Sequence, residues 1–169
     1  MTPDDEAAYR TILSRTSAED RYYRFFRPVD VLDANDVHRF VQAGPGLVGF
    51  IAESSGRGEA LGAAHAALLE DASAELAIIV TDGARERGVG KALMTALITY
   101  LRERGYRRIV AHSLQENVAF TRLAQSLGMR ILHAEGADVL WAAAPAGEST
   151  SGHPEQVRQS FSMEQSRLH

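Results

Sequence analysis

Between residues 74 and 104 the hydrophobic period of the chain changes once, abruptly. ELAIIV, from Glu75 to Val80, is a short and nearly continuous apolar run. Such a run suits a strand buried on both faces. From Val89 the apolar residues Val89, Leu93, Leu97 and Leu101 recur every four positions, with Ala92, Ala96 and Tyr100 widening the stripe. That spacing belongs to an amphipathic helix. The junction between them holds Gly88 and Gly90, set among Arg85, Arg87 and Lys91. A chain that passes from a buried strand through a glycine turn into a long helix must mix sheet and helix in one core.

The remaining elements fit around this junction. Residues 3 to 17 read as a helix, with Asp4, Asp5 and Glu6 at its positive end and Ala8, Ile12 and Leu13 on its apolar side. Residues 18 to 28 crowd Tyr22, Tyr23, Phe25 and Phe26 together, and Pro28 ends any helix there. A second helix is expected over Ala34 to Gln42. LVGFIAE, Leu47 to Glu53, reads as a strand. SSGRGE is a hairpin signal, with Ala60 to Leu69 as the partner strand. Ile109 to Ser113 is a further strand. Asn117 to Leu127 is a helix stopped by Gly128, and Met129–Glu135 with Val139–Ala144 form a closing strand pair. Residues 145 to 169 are rich in Ser, Gln, Glu and Gly with few apolar anchors. They read as a flexible tail with room for a short helix near Pro154 to Met163. The expectation is one α+β domain over residues 1–144, followed by that tail.

Composition bounds the function. The chain has 169 residues, a formal net charge of −4 and no cysteine. Disulfides, thiolate metal sites and cysteine nucleophiles are excluded. The acidic balance gives no electrostatic case for a nucleic-acid or acidic-membrane partner. No apolar stretch is long enough to span a bilayer. The polar start MTPDDEAAYR does not suit a secretory signal, which sets a cytoplasmic expectation. No His/Asp/Glu cluster has metal-site spacing, so no metal is expected. His38, His65 and His112 read as packed or surface residues.

The glycine junction carries the chemistry. A helix start presents backbone N–H groups without intrahelical partners and a partial positive charge, which together favour phosphate. Glycine lets that backbone approach a ligand closely. A P-loop is excluded because Lys91 is followed by Ala92 rather than Ser or Thr. A dinucleotide fingerprint lacks its third glycine, since position 93 is leucine. On local grounds a phosphate site and a plain glycine turn with solvated arginines both remain open.

Arg85-x-x-Gly88-x-Gly90, set between a buried strand and a long helix, resembles the acetyl-CoA signature of GNAT N-acetyltransferases. The helix opening at Asn117 and ending in Leu127-Gly128-Met129 resembles that family's later helix. The likeness covers roughly residues 4 to 144. SAEDRYYRFF (17–26) and AELAIIV (74–80) further resemble the acetyltransferase domain of bacterial Pat-type protein lysine acetyltransferases. The resemblance implies a mixed, mostly antiparallel central sheet flanked by helices. The family usually has a strand before its first helix; here only Met1, Thr2 and Pro3 precede it. Either the sheet lacks that edge strand or the start of this chain is shortened.

What the resemblance implies for the site follows. Acetyl-CoA is the expected acetyl donor and an amine the acceptor, with a protein lysine as one candidate. A small amine, amino acid or antibiotic is a second. A CoA-binding sensor without catalysis is a reading of another class. Glu75 matches the family's general base, and partial burial at the start of an apolar strand would raise its pKa. Backbone N–H groups around Ile78, Ile79 and Val80 would hold the acetyl carbonyl. Arg85, Glu86, Arg87, Gly88, Val89, Gly90, Lys91 and Ala92 would surround the CoA pyrophosphate, with the amides of 87–91 as the main contact. Asn117 would bond the pantetheine or cap its helix. The tyrosine that many members use as general acid falls at Ala124 and is absent; a thiol with a pKa near 8.5 can leave as thiolate without it. Tyr22 and Arg24 are candidates to touch the acceptor. Oligomeric state is not legible.

Overall fold

A computed structural model of the chain describes residues 1–29, 34–41, 44–56 and 58–143. A turn of 3-10 helix at Pro3–Asp5 leads into α1 (Glu6–Ser14), followed by α2 (Ala18–Phe25) and α3 (Ala34–Val41). Strands β1 (Leu47–Glu53), β2 (Ala60–Leu68) and β3 (Ser73–Val80) come next. Then follow α4 (Val89–Glu103), β4 (Arg108–Leu114), α5 (Val118–Ser126), β5 (Arg130–Glu135) and β6 (Asp138–Ala143). The six strands form one sheet in the order β1-β2-β3-β4-β6-β5. Only β3 and β4 run parallel; the other neighbouring pairs are antiparallel. Among the described residues no strand precedes α1. Instead the Met1 ammonium donates to the Gly49 carbonyl of the edge strand β1 at 2.6 Å.

The two faces of the sheet are covered by different helices. On one face α4 buries Leu93, Met94, Leu97, Ile98 and Leu101 against Ala64, Leu76, Ile109 and Trp141, joined by Phe120 and Ala124 of α5. The four-residue spacing of the α4 leucines produces this stripe. On the other face α1 and α3 bury Tyr9, Ile12, Leu13, Val37 and Val41 against Ala63 and Ile79.

Two expectations change in detail. The aromatic segment forms its own helix, so three helices precede β1. Ser17 caps α2 by accepting from the Asp20 N–H at 3.1 Å, and Phe26 ends it in the left-handed conformation (φ 53°) before Pro28 is reached. The run ELAIIV is not buried throughout: Leu76 and Ile79 are buried, whereas Glu75, Ala77, Ile78 and Val80 are half-exposed. For Ala77, Ile78 and Val80 the cause lies in the sheet, because β4 pairs with β3 only as far as Leu76. Finally, the expected tail at 145–169, with its short helix, lies outside the described residues.

Candidate active site

β3 and β4 are in register from Ser73↔Arg108 to Leu76↔Ala111. Beyond Leu76 the ladder stops, although β3 continues to Val80 and β4 to Leu114. The two parallel strands therefore part in a wedge whose apex lies at Leu76 and Ala111. β3 remains paired to β2 over its whole length, through Gly62↔Val80. The wedge thus exposes only one edge of β3.

The hydrogen bonding of β3 shows which groups face the opening. Just past the strand, the Thr81 N–H donates to Leu61 O at 2.9 Å. Backbone polar groups alternate sides along a strand. Residues 77 and 79 therefore turn their N–H and C=O groups towards β2, as Thr81 does, and Ile78 and Val80 turn theirs into the wedge. Of the three residues expected to offer amides, Ile78 and Val80 are aimed at the opening, and Ile79 is part of the β2 ladder.

α4 starts at the mouth of this wedge. Gly88 is its N-cap at φ 80°, a left-handed conformation that glycine adopts without strain. It has no side chain to cap the helix, and the first turn carries no acidic residue. The Ala92 N–H closes the first helical bond, to Gly88 O at 2.9 Å. Residues 85–88 form a turn, and among the described residues none of the amides from Glu86 to Lys91 makes a backbone hydrogen bond of regular length and angle. An uncapped, uncompensated helix start is where an anion gains most from the macrodipole. A Cβ built on Gly90 would lie 3.5 Å from Leu123, 3.6 Å from Ile78 and 3.8 Å from Val80. The first turn of α4, the free end of β3 and α5 therefore meet at one place.

Glu75 lies on β3 one residue before the apex, paired with Val110 and half-exposed. It shares the sheet face of Ala77 and Ile79, opposite the face that packs α4. Arg85 does not turn to the helix mouth: its guanidinium pairs with Asp20 and lies 3.0 Å from Asp82. Glu86 is exposed at φ 57°, Arg87 donates to Gly83 O at 3.3 Å, and Lys91 is exposed beside Val89 and Gly90. The amide of Ala92 belongs to the helix ladder.

Asn117 fulfils its capping role, since its Oδ1 accepts from the Phe120 N–H at 2.9 Å. Ala124 is fully buried in the core, among the side chains that pack Trp141. Ser113 is buried too, with its Oγ accepting from the Trp141 indole N–H at 3.0 Å. Tyr22 is 37% exposed on α2. Arg24 turns inward instead, with its guanidinium carbon 4.9 Å from the Phe25 ring centre and 5.0 Å from that of Phe40.

Two features go beyond the sequence reading, which had His65 only as a packed or surface residue. His65 is buried between Tyr9 and Phe40, with Nε2 3.2 Å from Phe40 O. Burial, helped by the positive charge of Arg24, lowers its pKa to about 3. Nothing in the sequence around His65 announces this, because its neighbours come from α1 and α3. The second is the Asp20–Arg85 pair. Its signal was present as Ser17-x-x-Asp20, a helix-capping pattern that marks α2.

A wedge between two parallel strands, lined by strand amides and with an uncapped helix start at its mouth, offers hydrogen-bond donors suited to a ligand with an anionic part and an extended part. The chain belongs to the acetyltransferase (GNAT) family, whose model matches residues 11–129. Enzymes of this family take the acetyl group from acetyl-CoA and pass it to an amine. The fold is similar to that of the GNAT domain of S. lividans PAT, at 29% identity and a TM-score of 0.78, over 86% of this chain and 88% of that one. It is also similar to an N-acetyltransferase from Staphylococcus aureus Mu50, with TM-score 0.69 and 18% identity over 85% and 94% of the two chains. The ribosomal-protein-alanine N-acetyltransferase from Brucella melitensis shares the fold at a TM-score of 0.65 and 19% identity, over 86% and 97%.

Proposed function

We propose that this acetyltransferase moves the acetyl group of acetyl-CoA to the ε-amine of a protein lysine by direct attack, with Glu75 as general base. The observation that carries the reading is the wedge itself, with Ile78 and Val80 aimed into it and the free amides of α4 at its mouth. In this reading the pyrophosphate sits against the amides of residues 87–91, and the pantetheine runs along the open edge of β3. The acetyl carbonyl then accepts from an amide of that edge, and the same donor stabilises the oxyanion as the tetrahedral intermediate forms.

A lysine with a pKa of about 10.4 arrives protonated at neutral pH and must lose a proton to attack. In this reading Glu75, next to the apex, takes it directly or through a water, an effect worth about 10² to 10⁴ in rate. Ala124 stands where a general acid would be expected. The CoA sulfur therefore leaves as thiolate, which a thiol pKa near 8.5 permits. The protein-lysine acceptor is supported by the Pat-like stretches 17–26 and 74–80 and by the likeness to the S. lividans domain.

An acceptor panel tests the proposal. The protein is incubated with labelled acetyl-CoA and either folded protein acceptors or free amines, amino acids and aminoglycosides. Label on protein lysines and not on the small amines supports it. Label confined to small amines overturns the acceptor, and release of no CoA across the whole panel overturns the catalytic reading.

A further inference from the structure

We propose that Arg85 is a positioning residue that couples occupancy of the cofactor site to the placement of α2, the helix carrying Tyr22 and Arg24. The inference rests on the cofactor reading above. Arg85 lies in the loop between β3 and α4, yet its guanidinium reaches across to the start of α2. There it pairs with the Asp20 carboxylate, and its Nη2 lies 3.0 Å from Asp82 Oδ1 and 3.3 Å from Ser17 Oγ. Ser17 caps α2, and Asp20 supplies the amide that is capped. Ser17 Oγ accepts from the Asp20 N–H at 3.1 Å and donates to Asp20 Oδ2 at 2.9 Å. Asp82 closes the network from the loop side: it accepts from the Ser17 N–H at 3.4 Å, and its own N–H donates to Arg15 O at 3.0 Å. One guanidinium thus joins the cap of α2 to the loop that precedes the cofactor amides.

α2 is an element such a tie can move. It buries none of its side chains completely, so it has little apolar anchorage of its own. Elements with few buried contacts open and shift at low free-energy cost. Its other restraints are also polar: the Arg21 guanidinium donates to Val29 O at 3.0 Å and to Thr16 O. Yet α2 packs against β3, and its Phe25 joins the apolar cluster around Ile79 on the Glu75 face of the sheet. A ligand that fixes the backbone of residues 87–91 fixes Arg85 two residues earlier, and with it Asp20 and Ser17. The coupling is reciprocal: an acceptor that holds α2 also favours the loop conformation that receives the cofactor.

Hydrogen–deuterium exchange with and without CoA tests this, beside calorimetric titration of CoA on the same samples. In the unaltered protein CoA should slow exchange of the amides of residues 18–25 by about fivefold or more, the lower end of ordinary coupling. Arg85→Ala and the isosteric Asp20→Asn should both lose that slowing while still binding CoA. Arg85→Lys, which keeps a cation among the carboxylates, should restore a substantial part of it. Full slowing in Arg85→Ala, or CoA binding with no change in α2 of the unaltered protein, overturns the coupling alone. Loss of CoA binding in Arg85→Ala but not in Asp20→Asn overturns it too, because the guanidinium would then serve the phosphate directly. Failure of the unaltered protein to bind CoA overturns the cofactor reading and this inference together.

Discussion

Gly88 does its work through a backbone angle. At φ 80° it turns the chain so that the next residues present their N–H groups outward, and no atom lies within 4 Å of where its Cβ would be. Space is therefore not what forbids a side chain there; the left-handed conformation is. Gly88→Ala should destabilise the fold by about 1 to 2 kcal/mol in chemical denaturation and weaken CoA binding in calorimetry. Gly90 is the contrasting case, since its Cβ would make ordinary contacts of 3.5 to 3.8 Å. Gly90→Ala should fold with near-normal stability, so any loss of CoA affinity would report close approach of ligand to backbone. Glu75 supplies the third test at this scale. Glu75→Gln keeps the shape of the side chain and removes its basicity. It should leave the CoA dissociation constant unchanged and lower kcat by about 10² to 10⁴. An unchanged kcat would remove Glu75 from the mechanism.

At the scale of elements, β3 borders the wedge and α4 starts at its mouth, and both were readable in the sequence. The period of four along Val89, Leu93, Leu97 and Leu101 announced α4, and the apolar run announced β3. Leu97 is completely buried at the centre of that stripe. Leu97→Ala should cost about 2 to 5 kcal/mol of folding stability, measured by urea unfolding. The wedge was not legible, because no local pattern records where a neighbouring strand diverges. Its trace is the half-exposure of Ala77, Ile78 and Val80, which in sequence look as apolar as buried Leu76 and Ile79. α2 was also hidden: its residues read only as a crowd of aromatics before Pro28, whereas they form a helix on which Tyr22 stays exposed and which polar ties hold. For the same reason the sequence could show Arg85 in the glycine motif but not its tie to Asp20, which lies in a distant segment.

At the scale of the whole molecule, the two faces of the sheet differ in character. The α4 face is almost wholly apolar, whereas the α1–α3 face encloses His65 near the Arg24 guanidinium. With a pKa of about 3, His65 is neutral in the folded protein at every pH where it would begin to charge in the unfolded chain, near 6.5. Between those limits the unfolded chain binds one more proton. Its stabilising effect is complete above pH 6.5 and declines as pH falls towards 3, by about 1.4 kcal/mol per pH unit. His65→Gln should remove that decline between pH 6.5 and 5, a window above the ordinary carboxylate range. Parallel stability curves for the two proteins across that window would contradict the assignment.

The central claim is that CoA lies in the wedge between β3 and β4, with its phosphates on the first turn of α4. A crystal structure of the acetyl-CoA complex tests it most directly. The complex should show pyrophosphate oxygens within hydrogen-bonding distance of amides between Arg87 and Lys91, the pantetheine along Ile78 and Val80, and the thioester on the Glu75 side of the apex. Pyrophosphate bound away from the start of α4, or a thioester out of reach of Glu75 even through one water, would contradict it.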